Sequence, residues 1–128
     1  MAKQTLQLLL EQFTVHSFPP SQAVPEVVLN SDIYFIGKTP DELSIVCSSH
    51  IELDSDEEES GWRAFEVLGP LGFSLTGILS NISGVLANAN ISIFAISTFD
   101  TDYILVKQSR VDLAIDELLK NGYKVLTS

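Results

Sequence analysis

Two short polar stretches carry the residue types that could grip a small charged molecule. One is Phe73-Ser74-Leu75-Thr76-Gly77, at the turn into a helix; the other is Thr98-Phe99-Asp100-Thr101-Asp102, between two apolar segments. Amides exposed at the start of a helix, helped by its macrodipole, attract a carboxylate. An aspartate such as Asp100 or Asp102 accepts a charge-assisted bond from an ammonium. Gly77, lacking a Cβ, lets a ligand or a second backbone come close. The two stretches thus complement the two charged ends of a free amino acid. Each residue also has a plainer role. Ser74 or Thr76 can cap the helix, Phe99 can cover the core, and an aspartate can close a turn by bonding nearby backbone. On that balance Asp100 reads as the turn former and Asp102 as the ligand acceptor.

Both stretches lie in or against a run, from Glu66 to Asp100, with no charged side chain between its ends. A run of that kind implies burial on more than one side. In its helix Ile78, Leu79, Ile82, Val85, Leu86 and Ala89 fall on one apolar stripe, and Ser80, Asn81, Ser83, Gly84, Ala87 and Asn88 make a small, uncharged opposite face. Residues 91–97 read as a strand apolar on both faces, as centrally covered strands are, and 103–107 as its antiparallel return. Ser109-Arg110-Val111-Asp112 is patterned like a capping box. It would open a second helix with Val111, Ala114, Ile115, Leu118 and Leu119 inward, stopped at Gly122, before a last strand over 123–127. With a strand over 62–69 the order is β-α-β-β-α-β, the α+β, ferredoxin-like arrangement.

The first half reads as a shorter version. Residues 6–18 are extended and ended by Pro19-Pro20, residues 23–29 form a short helix or covering turn, and 32–39 with 43–49 form a hairpin through Pro40-Asp41. Aligning 33–46 with 93–106 superimposes Ile33 on Ile93, Ile36 on Ile96, Val46 on Val106 and Glu42 on Asp102. Strand, turn and strand coincide, which suggests two tandem copies, the first worn down. Residues 54–60, DSDEEES, read as a solvated loop or linker, since like charges repel and stay in water. They lack the glycine and the spaced glutamate of a calcium loop.

At 128 residues, 45% hydrophobic and 19% charged, the chain suits one core or two small half-domains. A net charge of −10 argues against nucleic acid, whose phosphates need Lys and Arg. The lone Cys47 fits a reducing compartment and a buried, inert thiol. His16 and His50 make no metal-ligand spacing. The N-terminal apolar run is too short for a secretory signal or a membrane span, so the expectation is a cytoplasmic protein. The Asn-x-Ser triplets at Asn81 and Asn90 are taken as chance.

GPLGFSLTGIL followed by NISIFAISTFDTDYILV, with KTPDELSIVC in the first half, resembles the signature of tandem ACT-domain proteins of the amino-acid-sensor type. The resemblance implies two ACT sandwiches in tandem, residues 1–60 degenerate and residues 61–128 complete. It also implies a non-catalytic regulatory module without cofactor or metal, binding an amino acid and pairing as a homodimer. Such domains hold their ligand between the turn into the first helix and the neighbouring strand connection. By position the contacts would be Phe73, Ser74, Leu75, Thr76, Gly77 and Ile78 on the first and Thr98, Phe99, Asp100 and Asp102 on the second. Some relatives have an acidic residue near Leu75, and an apolar residue there argues against a strongly cationic ligand. Two other classes compete with the sensor. A purely structural dimerisation module would use the uncharged helix face. An acyl-phosphate hydrolase would need an arginine at GPLGFSLTG, which has no basic residue.

Overall fold

The computed structural model describes residues 3–69 and 77–128. In order, the elements are β1 (Thr5–Phe18), α1 (Glu26–Leu29), β2 (Tyr34–Lys38), β3 (Leu43–Ser48), β4 (Glu57–Gly69), α2 (Ile78–Asn88), β5 (Phe94–Ser97), β6 (Asp102–Lys107), a 3-10 turn (Gln108–Arg110), α3 (Val111–Lys120) and β7 (Lys124–Leu126). The chain divides into two compact units: Glu11–Trp62, and Arg63–Ser128 together with Met1–Leu10. The long strands β1 and β4 are neighbours, and each has residues in both units.

In the Glu11–Trp62 unit the strands run β2-β3-β1-β4. β2 and β3 form the expected antiparallel hairpin, from Tyr34 opposite Cys47 to Lys38 opposite Leu43. Phe18, Val28, Leu43, Ile45, Cys47 and Ile51 form its core. The acidic segment was expected to be all loop, yet β4 already begins at Glu57. Glu57, Glu58 and Glu59 remain exposed there, so pairing costs no desolvation of the carboxylates.

The second unit carries β4-α2-β5-β6-α3-β7, the predicted β-α-β-β-α-β order. One departure from the simple ferredoxin-like plan is the place of the last strand. β7 pairs in parallel with β1, Thr5 opposite Lys124 and Gln7 opposite Leu126, so residues near the N-terminus share this unit's sheet. Leu6 and Leu8 of β1 join Phe65, Val67, Ile82, Leu86, Ile104 and Leu118 in one core.

Several local expectations are corrected. α2 starts at Ile78 behind Gly77, whose φ of 75° is left-handed and cannot continue a helix, so its N-terminal flank is Gly77; Ser74 and Thr76, the expected caps, lie outside the described residues. Residues 91–93 do not join β5. Ile91 donates its amide to the Leu86 carbonyl at 3.0 Å and Asn90, at φ 60°, to that of Ala87 at 2.9 Å, a Schellman closure of α2. The strand that remains is the outermost of its sheet, with β6 as its neighbour, and is not a central one. Ser109 lies within the 3-10 turn, and α3 has no side-chain cap bond, so no capping box forms. Leu119, expected inward, is half exposed. α3 does end as expected: Tyr123 and Gly122 donate to Leu118 and Leu119 at 3.1 Å each, with Gly122 at φ 90°.

Candidate functional site

The β5–β6 connection is built from hydroxyls. Ser97 and Asp102 are paired across the hairpin, and the Ser97 hydroxyl donates to Asp102 Oδ1 at 2.6 Å. Between them the Thr98 amide donates to the Thr101 carbonyl at 2.8 Å. The Thr98 hydroxyl donates to the same carbonyl at 3.0 Å and accepts the Thr101 amide at 3.3 Å. Closure of this turn therefore falls to Thr98, where the sequence had pointed to Asp100. Phe99 stands at the tip, 85% exposed, and does not cover the core.

A further bond locates the connection in the fold. The Thr101 hydroxyl donates to the carbonyl of Val67 at 2.5 Å. Val67 lies two residues before the end of β4 at Gly69, the end from which the chain leads on to Gly77. The connection is thus pinned to the strand that feeds the helix.

On the helix side, the Gly77 carbonyl accepts the first turn's amide from Asn81 at 2.8 Å. Ile78 packs against the core, so what it can offer a ligand is backbone. Phe73, Ser74, Leu75 and Thr76 lie outside the described residues.

Sequence reasoning passed over Ser97, Thr101, Glu66 and Tyr103. Burial, and after it the nearby Glu66 and Asp100 carboxylates, push the Tyr103 phenol above its usual range. Glu66, Asp100 and Tyr103 therefore form an electrostatic neighbourhood beside the pinned turn. The available signal was Glu66 as the last charge before the uncharged run. Among the described residues no three His, Cys, Asp or Glu side chains are grouped to hold a metal ion, and no helix is long and apolar enough to cross a membrane.

Comparison with known proteins adds identity to this geometry. A family profile described as "ACT domain" matches residues 57–120. The human "Cytosolic arginine sensor for mTORC1 subunit 1" is 43% identical over 58 residues, 44% of this chain and 18% of the sensor. The rat sensor is 41% identical over a stretch of the same length. The chain therefore spans less than a fifth of those relatives. The crystal structure of protein Atu0741 from Agobacterium tumefaciens superimposes with a TM-score of 0.91 at 31% identity, covering 100% of this chain and 96% of that one. Aspartate kinase from Clostridium acetobutylicum matches at TM-score 0.67 and 14% identity over 88% of this chain and 33% of the enzyme, a likeness of fold alone. With half its residues matched by that profile, and with the β-α-β-β-α-β order in place, the chain belongs to the ACT-domain family.

Proposed function

We propose that the chain is a non-catalytic regulatory module of the cytoplasm that binds a free amino acid in its C-terminal ACT unit. The ligand lies between the turn into α2 and the β5–β6 connection. The observation that carries this reading is the Thr101–Val67 bond, which ties the connection to the strand end that leads to the helix. Amides at the head of α2 receive the carboxylate, and the Asp102 oxygen not engaged by Ser97 receives the ammonium. Relatives described as arginine sensors make arginine the first ligand to test. The apolar Leu75 makes neutral amino acids the contrasting set.

The reading includes two tandem copies, divided on sequence as 1–60 and 61–128, with the first degenerate. It is supported by the matching strand orders β2-β3-β1 and β5-β6-β4, each with a helix between the long strand and its hairpin. Pairing into a homodimer through the uncharged face of α2 belongs to the same reading.

A thermal-shift panel of the common amino acids tests it, because a ligand that binds only the native state raises its stability. At least one amino acid is expected to raise the Tm, and Asp102→Ala is expected to abolish that shift with unchanged circular dichroism. A flat response across the panel would leave the module with a structural pairing role only.

A further inference from the structure

One histidine of the Glu11–Trp62 unit has two ring nitrogens in unequal circumstances. His16 lies on β1 opposite Ile45 of β3 and is 2% exposed. Its Nδ1 shares a 2.9 Å hydrogen bond with the Ser55 hydroxyl, and its Nε2 is buried without a hydrogen-bond partner among the described residues. A neutral ring tolerates this, at the cost of one idle nitrogen. A charged ring has an N–H on both sides, and a buried donor that carries charge and lacks an acceptor is far more costly than a neutral one. The Phe18 ring is stacked with its centroid 6.2 Å away, just beyond the roughly 6 Å within which an aromatic face gains from a cation.

Ser55 belongs to the acidic segment that leads into β4. Before it, Leu53 packs against the core. After it, the Asp56 amide donates to the Ser17 carbonyl of β1 at 3.0 Å, and β4 begins at Glu57. Asp54, Asp56, Glu57, Glu58 and Glu59 are exposed and repel one another, so the Ser55 and Asp56 bonds hold this segment to β1 against its own charge. Beside it a hollow of about 210 Å³ has His16, Glu42 and Glu58 on its wall, with Glu42 accepting from the Ser17 hydroxyl at 3.4 Å. On the core face β3 and β2 contribute Cys47 and Tyr34, with Lys38 at the far end of β2, and α1 adds the exposed Glu26. Of all these charges it is that of Glu58 which is felt at the ring, where it favours protonation and burial opposes it more strongly.

We propose that His16 is a pH-operated latch, which holds the acidic segment to β1 while its ring is neutral and releases it when the ring is charged. On taking its second proton the ring leaves Ser55 for water and the carboxylates that border the hollow. Residues 54–58 then keep only the Asp56–Ser17 bond against their mutual repulsion, and the beginning of β4 peels away. Release is local, because Phe18, Val28, Leu43, Ile45 and Cys47 pack without the segment. The latch is independent of the amino-acid site, which lies in the other unit.

NMR of the full chain between pH 7.5 and pH 5 tests it, by following the His16 ring carbons together with the backbone order parameters of residues 54–58. Those parameters are expected to fall from about 0.85 to below about 0.6 as the ring charges, while those of Leu43–Ser48 hold. Exchange of the Asp56 amide, corrected for the intrinsic rate, should quicken by up to about tenfold for each pH unit below about 6.5, until the ring of the closed form also charges. Ser55→Ala should loosen residues 54–58 already at pH 7.5. Glu58→Gln should let the release begin at the same pH and go further, since the closed ring then charges less readily. His16→Gln should leave the segment indifferent to pH over this range. Order parameters that stay high while the ring charges would overturn the latch. So would the same pH response in His16→Gln, which would assign it to the carboxylates, or a loss shared equally by Leu43–Ser48, which would make it general unfolding.

Discussion

Replacing Thr101 by valine keeps shape and branching and removes one hydroxyl, which makes it the sharpest probe of the pinned connection. In the native chain that hydroxyl donates to the Val67 carbonyl, on a residue only 1% exposed. Water has poor access to replace the lost donor. The cost is that of a hydrogen bond plus part of the desolvation of its acceptor, about 1 to 3 kcal/mol. In a chain of this size each kcal/mol lowers the midpoint by about 4 °C, so Thr101→Val should melt about 4 to 12 °C below wild type in a circular-dichroism scan. Thr101→Ser keeps the donor and should stay within about 0.5 kcal/mol of wild type. The proposed function adds a second readout. With the connection released from β4, the turn that carries Asp102 loses its anchor, and on the proposed reading the amino acid that stabilises the native chain should bind more weakly to the valine variant than to the serine one. Equal melting of the two variants would refute the structural argument. A cooler valine variant with unchanged ligand affinity would refute the link between the pin and the site.

Two glycines of the same region should respond in opposite directions. Gly77→Ala should destabilise by about 1 kcal/mol or somewhat more, because φ is 75° there, and among the described residues the new Cβ would meet only Asn81 at 3.7 Å, an ordinary contact. Gly84 lies inside α2 with nothing among the described residues within 4 Å of a Cβ, so Gly84→Ala should stabilise by up to about 1 kcal/mol in urea unfolding. His16 sets a pH dependence. Burial lowers its pKa below the ordinary 6.5, the Glu58 charge opposing in part, and Nε2 is buried without a hydrogen-bond partner among the described residues. The unfolded chain therefore takes up the proton first. The contribution of neutral His16 is complete above pH 6.5 and is lost as pH falls from there through the folded-state pKa. Urea unfolding at a series of pH values should show stability declining over that interval, and His16→Gln should flatten the decline. An unchanged slope in that variant would assign the dependence to the carboxylates.

What could be read from the residues was what is decided locally. The stripe Ile78, Ile82, Leu86 announces α2, the hairpins follow from alternating runs around polar turns, and Gly122 marks the end of α3. What could not be read depended on partners far along the chain. Residues 91–97 look like a covered strand, yet Ile91 closes α2, residues 92 and 93 stay outside the strand and the rest stand at a sheet edge, because apolar character alone does not say whether a helix end or a neighbouring strand uses it. The pairing of Thr5–Gln7 with Lys124–Leu126 left no mark in either segment. At the candidate site Asp102 was picked out by its charge and Thr98 by the resemblance, while Thr101, whose hydroxyl pins the turn to β4, was passed over. Hydroxyl and carboxylate compete for the same backbone donors, and the outcome depends on geometry that composition does not record. Glu66 and Tyr103, neighbours in space, are separated by the whole uncharged run.

The parallel pairing of β7 with the beginning of β1 also bears on how the molecule is made. As the chain leaves the ribosome, Leu6 and Leu8 are synthesised before nearly all of the core that will enclose them, and β7, which pairs beside them, follows the other strands of that core. Residues 11–62 can collapse early, with their partners already at hand. The opening segment meets that partner only after α3 has been made. Closing the C-terminal unit therefore joins segments far apart in the sequence, a contact of high order that forms slowly. A fragment cut at the apparent domain boundary would lack the strand against which its own last strand is laid.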